Sequence, residues 1–112
     1  MYNLFLDDIR VPENVDIYKE KSADFFVIVR SYDEFIKYIS KNGLPELIAF
    51  DYVLSYVNGK TGLCALTWLC EYIKKRNLNM PEMTFHSSSK GANKKMKKYL
   101  HDFSKKYNRN ES

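Results

Sequence analysis

The chain has 112 residues, 45% of them hydrophobic and 29% charged, the size and apolar content of one domain with its own core. Nine Tyr, seven Phe and one Trp exclude a disordered tail, and the longest apolar run, Phe25-Phe26-Val27-Ile28-Val29, is far too short to span a bilayer. The net charge of +4 is lopsided: Lys90–Ser112 holds eight Lys and Arg against two acids, and the residues before it hold ten against twelve, so a mildly acidic body should carry a basic last helix.

Tyr2–Leu6 is a continuous apolar run and predicts a strand, which ends in Asp7-Asp8 with Arg10 just beyond. The opening residues show no basic region, long apolar stretch or cleavage site of a signal peptide, and a cytoplasmic protein is expected. Arg10–Asp24 contains Pro12 and is polar, so it reads as a loop with room for one helical turn. Phe25–Val29 predicts a second strand, ending in Arg30. A helix is predicted over Tyr32–Lys41, with Phe35, Ile36 and Ile39 on one side, a capping box of Ser31 and Glu34 before it, and Gly43 and Pro45 to stop it. Leu47–Phe50 predicts a third strand, followed by Asp51-Tyr52.

Thr61 suits the N-cap of a second helix, Gly62–Arg76, whose Leu63, Leu66, Leu69, Cys70 and Ile73 form one stripe. Cys64 and Cys70 lie a rise of about 9 Å apart on that helix, beyond the reach of a disulfide, and read as packing residues. Met83–Phe85 predicts a fourth strand, continued by His86-Ser87-Ser88-Ser89-Lys90-Gly91. The last helix is predicted over Ala92–Phe103, with Met96, Tyr99, Leu100 and Phe103 inward and Lys94, Lys95, Lys97 and Lys98 outward. Those lysines suit RNA or another phosphate-bearing ligand, or simply form a solvated face. Residues 105–112 read as a polar C-terminal tail to a single domain of residues 1–104. There is no repeat, low-complexity tract or Gly/Ser linker.

Continuous apolar strands alternating with helices imply a parallel sheet covered on both faces. The expected fold is a small three-layer α/β sandwich on a short, four-stranded sheet in the flavodoxin-like order 2-1-3-4. In such a sheet, sites form beyond the carboxyl ends of the strands. Asp7, Asp8 and Asp51 then come together, and three like charges call for a cation or an arginine; magnesium suits such all-oxygen ligands. His86 to Gly91 offers three hydroxyls, a lysine and backbone amides at a helix start, a seat for an anion. Histidine is the side chain suited to proton transfer near neutrality, which makes His86 a candidate acid or base. Tyr52, Tyr56 and the Ser55–Lys60 loop are candidates to cover the site. Neither a Gly-x-Ser-x-Gly nucleophile motif nor a glycine-rich phosphate loop is present.

LFLDDIR with a following proline, a strand ending in VR, Asp51 after an apolar strand, Thr61-Gly62 opening a helix, and His86-Ser87 with Gly91 before the last helix together resemble the cyclic-phosphate processing receiver-like family. These are bacterial and phage proteins related in fold to response-regulator receivers, and the resemblance runs from Leu4 to Met96. It implies action on cyclic phosphates of nucleotides or RNA ends. It implies metal binding by Asp7, Asp8 and Asp51, catalysis by His86 and Asp51, and phosphate contacts from Arg10, Arg30, Ser87 and Gly91, with Thr61 and Gly62 completing the pocket; the reading of the residues themselves adds Ser89 and Lys90 to the phosphate seat and Tyr52 to the pocket. The chain departs from the family's Asp-His-Asp-Leu-Gly, reading Asp51-Tyr52-Val53-Leu54-Ser55, and has Ser89 where the family has Asn. The alternatives are a catalytically degenerate module that sequesters a nucleotide or binds a protein, and a phospho-signalling domain modified at Asp51. The second is disfavoured because no fifth strand with its terminal lysine is evident.

Overall fold

Four strands, β1 (Asn3–Leu6), β2 (Val27–Val29), β3 (Leu47–Phe50) and β4 (Glu82–Phe85), form one parallel sheet in the order β2-β1-β3-β4, as expected. Helices α1 (Tyr32–Asn42), α2 (Gly62–Arg76) and α3 (Lys90–Glu111) alternate with or follow them. The computed structural model describes residues 1–22, 24–54 and 59–111, with side chains as far as Tyr107. Tyr56 and most of the loop expected to cover the site lie outside the described residues.

Successive strand side chains take opposite faces. Leu4, Leu6, Val29, Ile48 and Phe50 meet Phe35 and Ile39 of α1, Leu66, Leu69 and Ile73 of α2 and Met96 of α3 in the main core. Phe5 and Ala49 alternate to the other face, where Val15, Tyr18 and Phe26 cover them. Chain direction explains which segment covers which face. The steps β2→β3 and β3→β4 run one way across the sheet and β1→β2 the other, so right-handed crossovers put their connections on opposite sides. The third layer is therefore formed by the described residues between Arg10 and Phe26, irregular but for turns that include a 3-10 turn at Pro12–Asn14.

The helix signals are used much as the sequence implies. Ser31 Oγ accepts from the Glu34 amide (3.1 Å), but the Glu34 carboxylate reaches the Arg30 amide (2.9 Å), one residue before the cap. α1 stops at Gly43, whose φ of +83° suits a residue without Cβ. Thr61 caps α2 through the Cys64 amide; Cys64 is half-buried, Cys70 buried, and both are free.

α3 corrects the sequence reading at both ends. It starts at Lys90 rather than Ala92, with Ser89 Oγ accepting from the Ala92 amide (3.2 Å), and it continues past Phe103 to Glu111. The extension has an apolar cause: Met96, Leu100 and Phe103 are followed one turn on by Tyr107, which is buried and donates its hydroxyl to the Leu78 carbonyl (2.6 Å).

Candidate functional site

Because all four strands are parallel, their carboxyl ends share one edge of the sheet. Asp7, Asp51 and His86 directly follow β1, β3 and β4, which are adjacent in that order. Asp7, Asp8 and Asp51 each present an oxygen within 4.8 Å of the others. They open on a cleft of about 490 Å³ lined by Asp7, Asp8, Ile9, Arg10, Asp51, Val53, Ser87 and Ser88.

Asp7 is the hub of this cluster. Its Oδ1 accepts from the Ile9 amide (3.0 Å) and the Arg10 amide (2.8 Å), and its Oδ2 faces Arg10 Nε (3.0 Å) and His86 Nε2 (3.0 Å). Burial works to raise its pKa, but the His86 bond, the two amides and the Arg10 charge prevail and hold the carboxyl at about 2, against an ordinary 3.8. Arg10 continues to Asp51, with Nη2 3.1 Å from Oδ1, so one guanidinium bridges two carboxylates. Two of its five donors are spent in this way. The side chain is 32% exposed, at the cleft wall.

Asp51 is buried and its environment is the opposite of Asp7's. Burial and then the charge of Asp7 raise its pKa, outweighing Arg10, His86 and the Tyr52 amide. Oδ1 carries the bonds from Arg10 and Tyr52 N (2.9 Å), while Oδ2 has no partner among the described residues.

These bonds decide what the acids can offer a metal. A carboxylate has about four lone-pair positions, and Asp7 already accepts four bonds, so an ion held by it would displace one of them. Asp8, half-exposed, and Asp51 Oδ2 remain open. Two carboxylates beside an open cleft suit magnesium, which keeps several waters and uses few protein ligands.

The other expected site residues divide into those at the cleft and those that build it. His86 belongs to the second group, bonded to Asp7 behind the cleft rather than lining it. Phe85 faces the helices, so His86 alternates to the opposite face and stacks on Phe5 (ring centroids 4.7 Å apart, planes at 12°). Its side chain is only 3% exposed, Nε2 is given to Asp7, and buried Nδ1 has no partner among the described residues. Arg30 also builds: Nη1 donates to the carbonyls of Asp7 (3.2 Å) and Arg10 (2.6 Å), tying the acidic loop to the end of β2. Thr61-Gly62 packs beneath Asp51. The Gly62 amide donates to Tyr52 O (2.7 Å), and a Cβ there would stand 1.8 Å from the Asp51 carbonyl oxygen. Tyr52 packs against the main core.

Ser87 and Ser88 reach the cleft, while Ser89, Lys90 and Gly91 are exposed beside it. Ser87 Oγ accepts from the Ser89 amide (3.2 Å), and Ser89 caps α3, so two of the three hydroxyls are used locally. The amides of Ser88, Lys90 and Gly91 have no partner among the described residues, and a Cβ on Gly91 would meet nothing closer than Ser89 Oγ at 3.9 Å. Sequence reasoning missed Asn93. Its amide group donates to Ser87 O (2.8 Å) and accepts from Ser87 N (2.9 Å), clamping the loop to α3. An Asn one turn inside a helix whose cap follows a strand tip was the available signal. Lys94, Lys95, Lys97 and Lys98 are exposed, and Lys98 pairs with Asp102 (3.0 Å).

A family model described as the cyclic-phosphate processing receiver domain matches residues 2–102, nearly the whole chain, and the chain belongs to that family. No match was found among curated proteins or solved structures.

Proposed function

We propose that this member of the cyclic-phosphate processing receiver family binds the cyclic phosphate of a nucleotide or RNA end in the Asp7–Asp51 cleft and opens it by hydrolysis. The observation that carries the reading is Arg10, held rigid by two carboxylates with donors left over at the cleft wall. A fixed guanidinium is a strong partner for two phosphate oxygens. Ser87 and Ser88 line the same cleft, and the Ser87 hydroxyl with the open amides of Ser88, Lys90 and Gly91 at the start of α3 offers further donors. His86 and Arg30 act as positioning residues: they fix Asp7 and the acidic loop, and through them Arg10.

Asp51, whose Oδ2 is open, and Asp8 are the carboxylates that would hold magnesium, which would supply positive charge to polarise a phosphoryl oxygen. The exposed lysines of α3 extend the positive surface for an RNA end.

A second reading, capture without turnover, is favoured by one observation. No histidine faces the cleft among the described residues, and Tyr52 packs into the core where the family carries a His. Incubation with cyclic mononucleotides, cyclic dinucleotides and RNA ending in a 2′,3′-cyclic phosphate, with and without magnesium, separates the two when followed by phosphorus NMR. Hydrolysis predicts ring-opened product, lost in Asp51→Asn. Binding without product selects capture, and neither binding nor product would overturn both.

A further inference from the structure

The outer edge of β4 lies at the far side of the sheet from β2 and takes no part in the cleft. The amides of Glu82 and His86 bond inward to Glu46 O (3.0 Å) and Phe50 O (2.9 Å), along β3. Strand alternation therefore turns the N–H and C=O of Met83 and Phe85 outward, and no strand pairs with them among the described residues. Beside this edge runs a groove of about 560 Å³. Its apolar wall includes Met83, Phe85 and Leu100, faced across the groove by Ile17, which is 64% exposed. Lys97 and His101 of α3 line it as well.

We propose that this edge is a docking site for an extended, acidic peptide segment of a partner protein, which adds as a fifth strand. Unpaired main-chain groups next to apolar side-chain pockets are what strand addition uses. The charge selects the occupant. The region from Lys90 on holds eight Lys and Arg against two acids, so a second copy joined edge to edge would bring two such helices together, whereas carboxylates flanking an apolar strand meet Lys97 and the helix favourably. A nucleic acid would use the lysines but lacks the alternating N–H and C=O repeat that matches the β4 edge.

The test uses the full chain and a blocked synthetic peptide, Asp-Glu-Val-Thr-Val-Thr-Val-Asp-Glu, at millimolar concentration, with amide hydrogen exchange read residue by residue. Slowed exchange at Met83 and Phe85, lost when the central Val is replaced by Pro, supports the proposal. Ile17→Asp, at an exposed position, should weaken binding about tenfold, the worth of one buried aliphatic side chain. Absence of protection at these two amides overturns it, as does equal protection by the peptide with Lys in place of its acids. An oligouridylate that contacts the α3 lysines while the peptide fails assigns the surface to RNA. Sedimentation as a dimer with those amides already protected assigns it to self-association; either result overturns the proposal.

Discussion

Asp7 and Asp51 stand side by side, yet their environments drive their carboxyls in opposite directions, and pH separates them. Asp7 titrates at about 2 in the folded protein against 3.8 ordinarily. Its charge therefore contributes about 2 kcal/mol of stability that is complete above the ordinary value and is lost as pH falls through the folded one. Asp7→Asn should cost about that much at neutral pH, with the gap to wild type closing between pH 4 and 2 in denaturant titrations. Asp51 has a raised pKa, so its ionised form costs stability above the folded value, and the cost fades as pH falls toward the ordinary one. In the metal-free protein Asp51→Asn should melt no lower than wild type at neutral pH, and any magnesium-dependent rise in Tm should shrink. A lower melting point with an unchanged magnesium shift would make Asp51 a structural residue. The sequence shows these acids and Arg10 by type and place. It does not show that Asp7 is saturated, because its partners include the His86 ring from the other end of the chain.

At the scale of elements, α2 and α3 position the site through close packing. Gly62 lets the start of α2 lie against the Asp51 carbonyl, and Gly62→Ala would force a Cβ to within 1.8 Å of it. Backbone must move, so a loss of about 3 kcal/mol is expected from thermal unfolding, together with disturbed Asp51 and Tyr52 amide resonances. A mild effect on both would mean the contact is slack. α3 is anchored at its far end by Tyr107 on Leu78. Tyr107→Phe should cost about 1 kcal/mol for the hydroxyl bond and Tyr107→Ala about 3 kcal/mol or more. Strand order, helix stripes and caps were legible because they follow local periodicity and punctuation. The end of α3 was not, because one buried tyrosine in a polar stretch carries little periodic signal.

The whole molecule combines a three-layer body with a basic helix at one flank, and its two open features, the strand-tip cleft and the β4 edge, lie apart. If Lys94, Lys95 and Lys97 hold RNA, affinity should fall with salt by roughly 0.7 log units per log salt for each single-strand phosphate contact; salt-independent affinity would leave those lysines as solvated surface. The sheet and the meeting of Asp7, Asp8 and Asp51 follow from parallel topology and were readable in the sequence. The stacking of the His86 ring on Phe5 was not, since it depends on which face the last residue of β4 takes. The most direct test of the cleft is calorimetric titration of a 2′,3′-cyclic mononucleotide into wild type and Arg10→Gln. Loss of a charge-assisted phosphate contact should weaken binding by about ten- to a hundredfold, while Lys75→Gln, on the last turn of α2, changes nothing. Equal binding by wild type and Arg10→Gln would contradict a phosphate seat at the Asp7–Asp51 clamp.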